Sequence, residues 1–303
     1  MKSFYDAIKP EIMADHLQRV ISKDGRFFGL ACVTTDLVAE ACRRHDTGPL
    51  AAIALGRALT ANALLAALLK DDQRVMLKFE GNGPLSKIIT EGLYTGELRG
   101  YVAHPHAEVP LKNGRIDVAA GLGKAGLLTV TKDIGVSRNY EGTIQLYTSE
   151  IGEDVAYYLS ESEQTPSAIG VGVQVSSKGT ILCAAGFLVQ SLPPADEDLI
   201  NSLENNILSL GSVTDFILNG NTPHDVLDVL FGSIPHRTLF EQALQYKCSC
   251  NQDKMKKALL TLQKEDLIKL KEERPAGVEV RCEFCGNLYL FDTAMLQKII
   301  DDQ

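Results

Sequence analysis

Four of the seven cysteines fall in two tight pairs near the end of the chain: Cys248-Ser249-Cys250, then 31 residues, then Cys282-Glu283-Phe284-Cys285. Two pairs of thiols carried on two short loops are the donor set of a tetrahedral zinc ion, and such an ion commonly holds together a domain too small to bury a core. Gly286 follows the second pair, where freedom at positive φ lets backbone N–H groups turn toward sulfur. The Cys-x-Cys spacing of the first pair is unusual in a zinc ribbon. Zinc keeps each sulfur as thiolate, the form that oxidants attack, so Cys248, Cys250, Cys282 and Cys285 are candidate ligands of one Zn2+ per chain and candidate redox-active thiols. Spacing alone leaves a purely structural zinc knob open.

The charge narrows the choice of partners. The net charge is −9, and residues 236–303 carry 11 basic and 11 acidic side chains, so the whole excess lies in residues 1–235. A phosphate-backbone binder needs a basic footprint, and this chain has an acidic body with a neutral cysteine segment. Nucleic acid is therefore not an expected partner. No P-loop or G-x-S-x-G elbow is present, and the expectation is a protein that is not an enzyme. His104-Pro105-His106 has no further ligand at metal spacing and reads as an irregular loop. The three scattered cysteines, Cys32, Cys42 and Cys183, read as small buried hydrophobes.

Leu50 to Leu69 resembles a membrane span, with Arg57 as its single charge. It is alanine-rich, holds Thr60 and Asn62, lacks aromatic anchors and opens with Gly48-Pro49, as a buried helix of a globular domain does. No membrane partner is expected. Met1 to Asp6 lacks an apolar leader, and clustered rather than dispersed cysteines suit a reducing compartment, so a cytoplasmic location is expected.

Along the chain, alternation predicts strands at 27–33, 74–80, 97–102, 142–147, 169–176 and 180–188, a short helix at 85–91, and an Asn113-Gly114 hairpin turn. Gly121-x-Gly123-x-x-Gly126 is formally a dinucleotide motif. The β-branched run after it predicts a strand, not the helix a pyrophosphate requires, so it reads as a glycine turn. Ser149 is a candidate cap of the next helix. Beyond Pro193-Pro194 the strand signals stop. Residues 195–210 place Leu199, Leu203, Ile207 and Leu210 on one stripe, and Thr222-Pro223-His224-Asp225 forms a capping pattern. Asn251 and Asp292 are candidate caps in the cysteine segment, with Met255, Ala258, Leu259 and Leu262 as an inner face. The reading is α+β: an N-terminal mixed α+β domain with antiparallel-rich sheets (1–192), a helical linker (193–235) and a small zinc-binding α+β domain (236–303).

These residues resemble a known family. Cys248-Ser249-Cys250-Asn251, with Phe284 inside the second pair and Tyr289 behind it, is similar to the C-terminal signature of the thirty-three-kilodalton heat-shock proteins, the redox-regulated bacterial chaperones. Leu55-Gly56-Arg57-Ala58-Leu59-Thr60-Ala61, Gly121-x-Gly123 with Leu128-Thr129-Val130, and Tyr157-Tyr158-Leu159 extend the likeness over essentially the whole chain. The resemblance implies an ATP-independent holdase, zinc-bound and inactive when reduced. It further implies that oxidation pairs Cys248 with Cys250 and Cys282 with Cys285, that zinc leaves and the linker unfolds, and that a homodimer then holds unfolded client proteins. The alternative reading is a nucleic-acid-associated factor with a structural zinc ribbon, which the acidic charge disfavours.

Overall fold

The computed structural model describes residues 14–135, 139–193 and 197–303. The readings of residues 1–6 and of the 194–196 helix start lie outside them. The chain forms two compact units, Met1–Tyr246 and Lys247–Gln303. In the first unit the elements run β1 His16–Ser22, β2 Phe27–Val33, α1 Thr35–His45, α2 Pro49–Ala66, β3 Arg74–Gly81, β4 Lys87–Leu93, β5 Glu97–Val102, α3 Val118–Leu122 and β6 Gly126–Asp133. Then follow β7 Tyr140–Gln145, α4 Ile151–Glu161, β8 Ser167–Val175, β9 Ile181–Ser191, α5 Glu197–Leu210, α6 Val213–Leu218, α7 Pro223–Phe231, β10 His236–Ala243 and β11 Gln245–Tyr246. The second unit holds α8 Gln252–Leu259, α9 Lys264–Glu273, β12 Val278–Arg281, β13 Leu288–Phe291 and α10 Thr293–Asp301.

Two sheets make the first unit, one ordered β10-β1-β2-β9-β8 and the other β11-β5-β4-β3-β6-β7. All pairings are antiparallel except β11 with β5. The mixed, antiparallel-rich α+β architecture is the one the sequence predicts. Helix α2 lies between the sheets and touches β3, β4 and β5 on one side and β2, β8 and β9 on the other. It is long and apolar enough to cross a membrane, yet 89% of it is buried within the protein. Its polar groups are placed accordingly. Asn62 Nδ2 donates to Thr90 O at 3.1 Å, Thr60 Oγ1 donates to Gly56 O at 2.8 Å, and Arg57 reaches Glu150 at 2.5 Å. Each such bond offsets the desolvation that burial would otherwise leave uncompensated.

The five-stranded sheet has two apolar faces, because strict alternation along a strand sends successive side chains to opposite sides. Phe28, Leu30 and Cys32 of β2 enter the core around α2, while Phe27 and Ala31 point the other way. On that other side they join Cys183, Ala185, Phe187 and Val189 of β9 beneath Leu203, Leu210, Val213, Val226, Leu227, Leu230 and Phe231. Helices α6 and α7 thus cover this face over β8, β9, β2 and β1, and α5 packs on α7. The predicted stripe of Leu199, Leu203, Ile207 and Leu210 supplies this contact, and Thr222 and Asp225 form the predicted reciprocal capping box of α7.

Several expectations are corrected. Residues 85–91 do not form a helix: Lys87–Leu93 is strand β4, with Ile88, Thr90 and Gly92 buried in alternation between its neighbours. Asn113 and Gly114 both take positive φ, as the hairpin turn demands, but only a single bridge between Lys112 and Arg115 flanks them. Ser149 is not the cap of α4; its hydroxyl donates to Gly123 O, while the Asp154 carboxylate accepts from the Tyr147 and Thr148 amides. The 121–126 glycine segment begins in the last two residues of the short helix α3, turns at Gly123 and enters strand β6 at Gly126. The boundary read at 236 falls elsewhere, since β10 pairs with β1 and β11 with β5 before the second unit begins at Lys247.

Candidate metal centre

In the second unit, Val278↔Phe291 through Arg281↔Leu288 pair β12 with β13, so Cys282 to Asn287 is the loop of a hairpin. Cys282 N donates to Asn287 O at 2.9 Å and Gly286 N to Cys282 O at 2.8 Å, with Gly286 at φ 73°. The turn aims amides at sulfur: those of Phe284 and Cys285 at Cys282, and that of Asn287 at Cys285. This is the knuckle the Cys-x-x-Cys-Gly spacing predicts. Cys248 and Cys250 approach on the stretch before α8, whose cap Asn251 accepts from Lys254 N at 2.9 Å. Asp292 caps α10 in the same way through Met295 N. The core beneath is small: Leu259, Leu267, Phe291, Leu296, Ile299 and Ile300 are its buried side chains. Met255 and Leu259 lie on the inner face of α8 as expected, while Ala258 and Leu262 are exposed and Leu260 packs inward instead.

The four sulfurs lie within 4.8 Å of one another. Cys248 Sγ stands 3.8 Å from Cys282 Sγ, and Cys250 Sγ 3.3 Å from Cys285 Sγ. A tetrahedral ion with Zn–S bonds of about 2.3 Å separates its sulfurs by about 3.8 Å, so the cluster fits a metal of that size and softness. No disulfide joins any of the four cysteines, and Cys282 and Cys285 are buried. Burial opposes ionisation of Cys282 and Cys285 and pushes both thiols up. At Cys250, hydrogen bonds from Tyr289 and the neighbouring thiols outweigh burial and bring it down to about 7. Cys250 is therefore favoured over Cys282 and Cys285 as a thiolate, and a bound dication would favour the thiolate form of its sulfur ligands. The Tyr289 hydroxyl, 3.0 Å from Cys250 Sγ, is a partner that spacing rules do not reveal, because the two residues lie 39 apart in the chain.

The other candidates do not gather. His104 Nδ1 faces Pro84 O and His106 lies near Asp46 on the surface. Cys32 and Cys183 are buried as expected, on opposite faces of the sheet, and Cys42 is half-buried.

The sequence profile of the family described as Hsp33 protein matches residues 15–292. The chain belongs to the Hsp33 family. Among its relatives, the 33 kDa chaperonin of Desulfotalea psychrophila is 58% identical, over 95% of this chain and 98% of that protein. The 33 kDa chaperonin of Geobacter sulfurreducens is 47% identical, over 96% of each. The crystal structure of the 33 kDa chaperonin (heat shock protein 33 homolog) from Thermotoga maritima superposes with a TM-score of 0.88 at 33% identity, covering 96% of this chain and 99% of that one. Membership in the Hsp33 family places the chain among chaperones and agrees with the resemblance carried by Cys248 to Cys285.

Proposed function

We propose that this chaperone is a redox-regulated, ATP-independent holdase that acts on unfolded proteins in the cytoplasm. The observation that carries the reading is the convergence of four thiols on a unit with only six buried apolar side chains. So small a core depends on its metal, and removal of the metal unfolds it. Zn2+ on Cys248, Cys250, Cys282 and Cys285 would act as a structural clamp and keep the sulfurs as thiolates. Two equivalents of peroxide would convert the four thiolates to two disulfides, each peroxide taking two electrons and leaving as water, with loss of the zinc ligands. The pairing that the family resemblance implies is Cys248 with Cys250 and Cys282 with Cys285.

The first unit offers what such a switch would release. Helices α5 to α7 hide Phe27, Ala31, Ala185, Phe187 and Val189. A contiguous apolar face of this kind binds other nonpolar chains once uncovered. The helices themselves carry the complementary stripe, and homodimerisation of the opened form follows the family resemblance. The nucleic-acid reading is weaker because the net −9 lies outside the cysteine segment, which is itself neutral.

The test is light scattering of an aggregating denatured client without nucleotide, comparing reduced zinc-loaded protein with peroxide-treated protein and measuring released zinc in the same samples. Protection that rises in step with zinc release supports the reading. Zinc retained with no protection in either state removes it.

A further inference from the structure

We propose a second metal site in the first unit, made of nitrogen and oxygen donors from His224, Asp228 and His236. His224 and Asp228 stand one helical turn apart on α7, and His236 opens β10 directly after the turn that ends the helix. The single carboxylate serves both rings: His236 Nε2 lies 3.0 Å from Asp228 Oδ1, and His224 Nε2 lies 3.8 Å from Asp228 Oδ2. Two imidazoles and one carboxylate on one side of a metal, with the remaining positions open, form a donor set for Zn2+, Co2+, Ni2+ or Fe2+.

His236 is already set for this role. Its Nδ1 faces Ile234 O at 3.1 Å, so the tautomer that donates there would leave Nε2 free to bind a metal beside Asp228. Backing of the far nitrogen by a carbonyl is the usual support of a metal-bound histidine. The Phe231 ring, 4.9 Å away between centroids, holds the imidazole from the side. His224 must move: the two imidazole centroids are 6.5 Å apart, and the His224 Nε2 contact has to shorten. Its Nδ1 has no hydrogen-bond partner among the described residues, so a turn of this half-exposed ring breaks no bond. The three side chains border a hollow of about 420 Å³ that Lys23 and Arg237 also line. Those two side chains are cationic and suit a small anion at the open positions of a bound metal.

A metal bound there joins the last helix covering the sheet to the strand that follows it, independently of the four cysteines. Full-length, zinc-loaded protein dialysed against Co2+ would retain its zinc and take up one cobalt equivalent, with weak visible absorption and no intense thiolate-to-cobalt band. His224→Ala, Asp228→Asn and His236→Ala would each weaken that uptake at least about 100-fold, beyond the usual loss of a supporting group. His104→Ala would leave it unchanged. Retained zinc and unchanged melting verify that each variant is folded, and any two of the three suffice for the comparison. No cobalt equivalent in the wild-type protein, or an equivalent that survives all three substitutions, overturns the proposal.

Discussion

Phe231 of α7 rests on Gly29 of β2: a Cβ at Gly29 would stand 2.7 Å from the Phe231 ring and 2.9 Å from Leu227. The missing side chain is what lets the helix seat on the sheet. Overpacking a fitted contact is destabilising by about 1–3 kcal/mol, and here the strain falls on the docking of α7. We predict that Gly29→Val makes residues 197–231 more sensitive to limited proteolysis in the reduced, zinc-loaded protein, and confers client protection without oxidant. Wild-type cleavage rates together with wild-type melting would show that the helix adapts without undocking.

Cys32 and Cys183 lie on adjacent strands but face opposite sides of the same sheet, Cys32 toward α2 and Cys183 toward α5 to α7. Both are about as buried, at 1% and 2% exposure, and burial pushes the Cys183 thiol up to about 11. Neither should react with an alkylating reagent in the reduced protein. After peroxide treatment and zinc release, we predict that Cys183 is labelled well before Cys32, which mass spectrometry of the digest would read. Equal labelling of the two would mean that the sheet opens as a whole, and selective release of the linker would then be wrong.

Asp15 is a buried carboxylate that accepts from Leu37 N at 2.6 Å and Asp36 N at 3.2 Å, closing the start of α1 from outside the helix. Burial is the largest influence on it and raises it from 3.8 to about 7, against those two bonds. An acid whose folded value is raised holds its proton more tightly when folded, so it lowers stability as pH rises from about 4 to 7. We predict that Asp15→Asn removes this slope, leaving the variant more stable relative to wild type at pH 7 than at pH 4 by about 3 kcal/mol. Parallel thermal melts across that range check it. Parallel pH profiles of the two proteins would mean that Asp15 ionises without cost in the fold.

The features legible in the sequence are those set by neighbours along the chain. The Cys-x-x-Cys-Gly knuckle, the Thr222–Asp225 box and the Asn251 and Asp292 caps each lie within a few residues, and each has the expected bonds. Helix α2 was readable because Gly48-Pro49 and its alanine content state its entry and environment locally. Strand β4 was not, since Leu85, Ile88 and Ile89 fit a helical face as well as a strand; pairing with β3 and β5 decides between them. The placement of β10 also needs a distant partner, β1, more than two hundred residues earlier. The same holds for Tyr289 against Cys250, which only the folded hairpin brings together.

If the four cysteines hold zinc as proposed, that contact separates the metal's ligands from a group that tunes one of them. Tyr289 OH lies 3.0 Å from Cys250 Sγ, while its ring packs against the small core of the second unit. Cys250→Ser removes one of the four proposed sulfur ligands, so we predict loss of zinc and of protease resistance in residues 247–303. Tyr289→Phe keeps the ring and all four sulfurs and removes one hydrogen bond to a ligand. Loss of such a supporting group weakens metal affinity by about 10–100-fold, which competition with a chromogenic chelator would measure. Because the bare Cys250 thiolate is more basic and more nucleophilic, the variant should also lose zinc to peroxide faster. Wild-type zinc affinity in Tyr289→Phe, beside zinc loss in Cys250→Ser, would confine Tyr289 to packing and leave the sulfurs alone in setting the metal's hold.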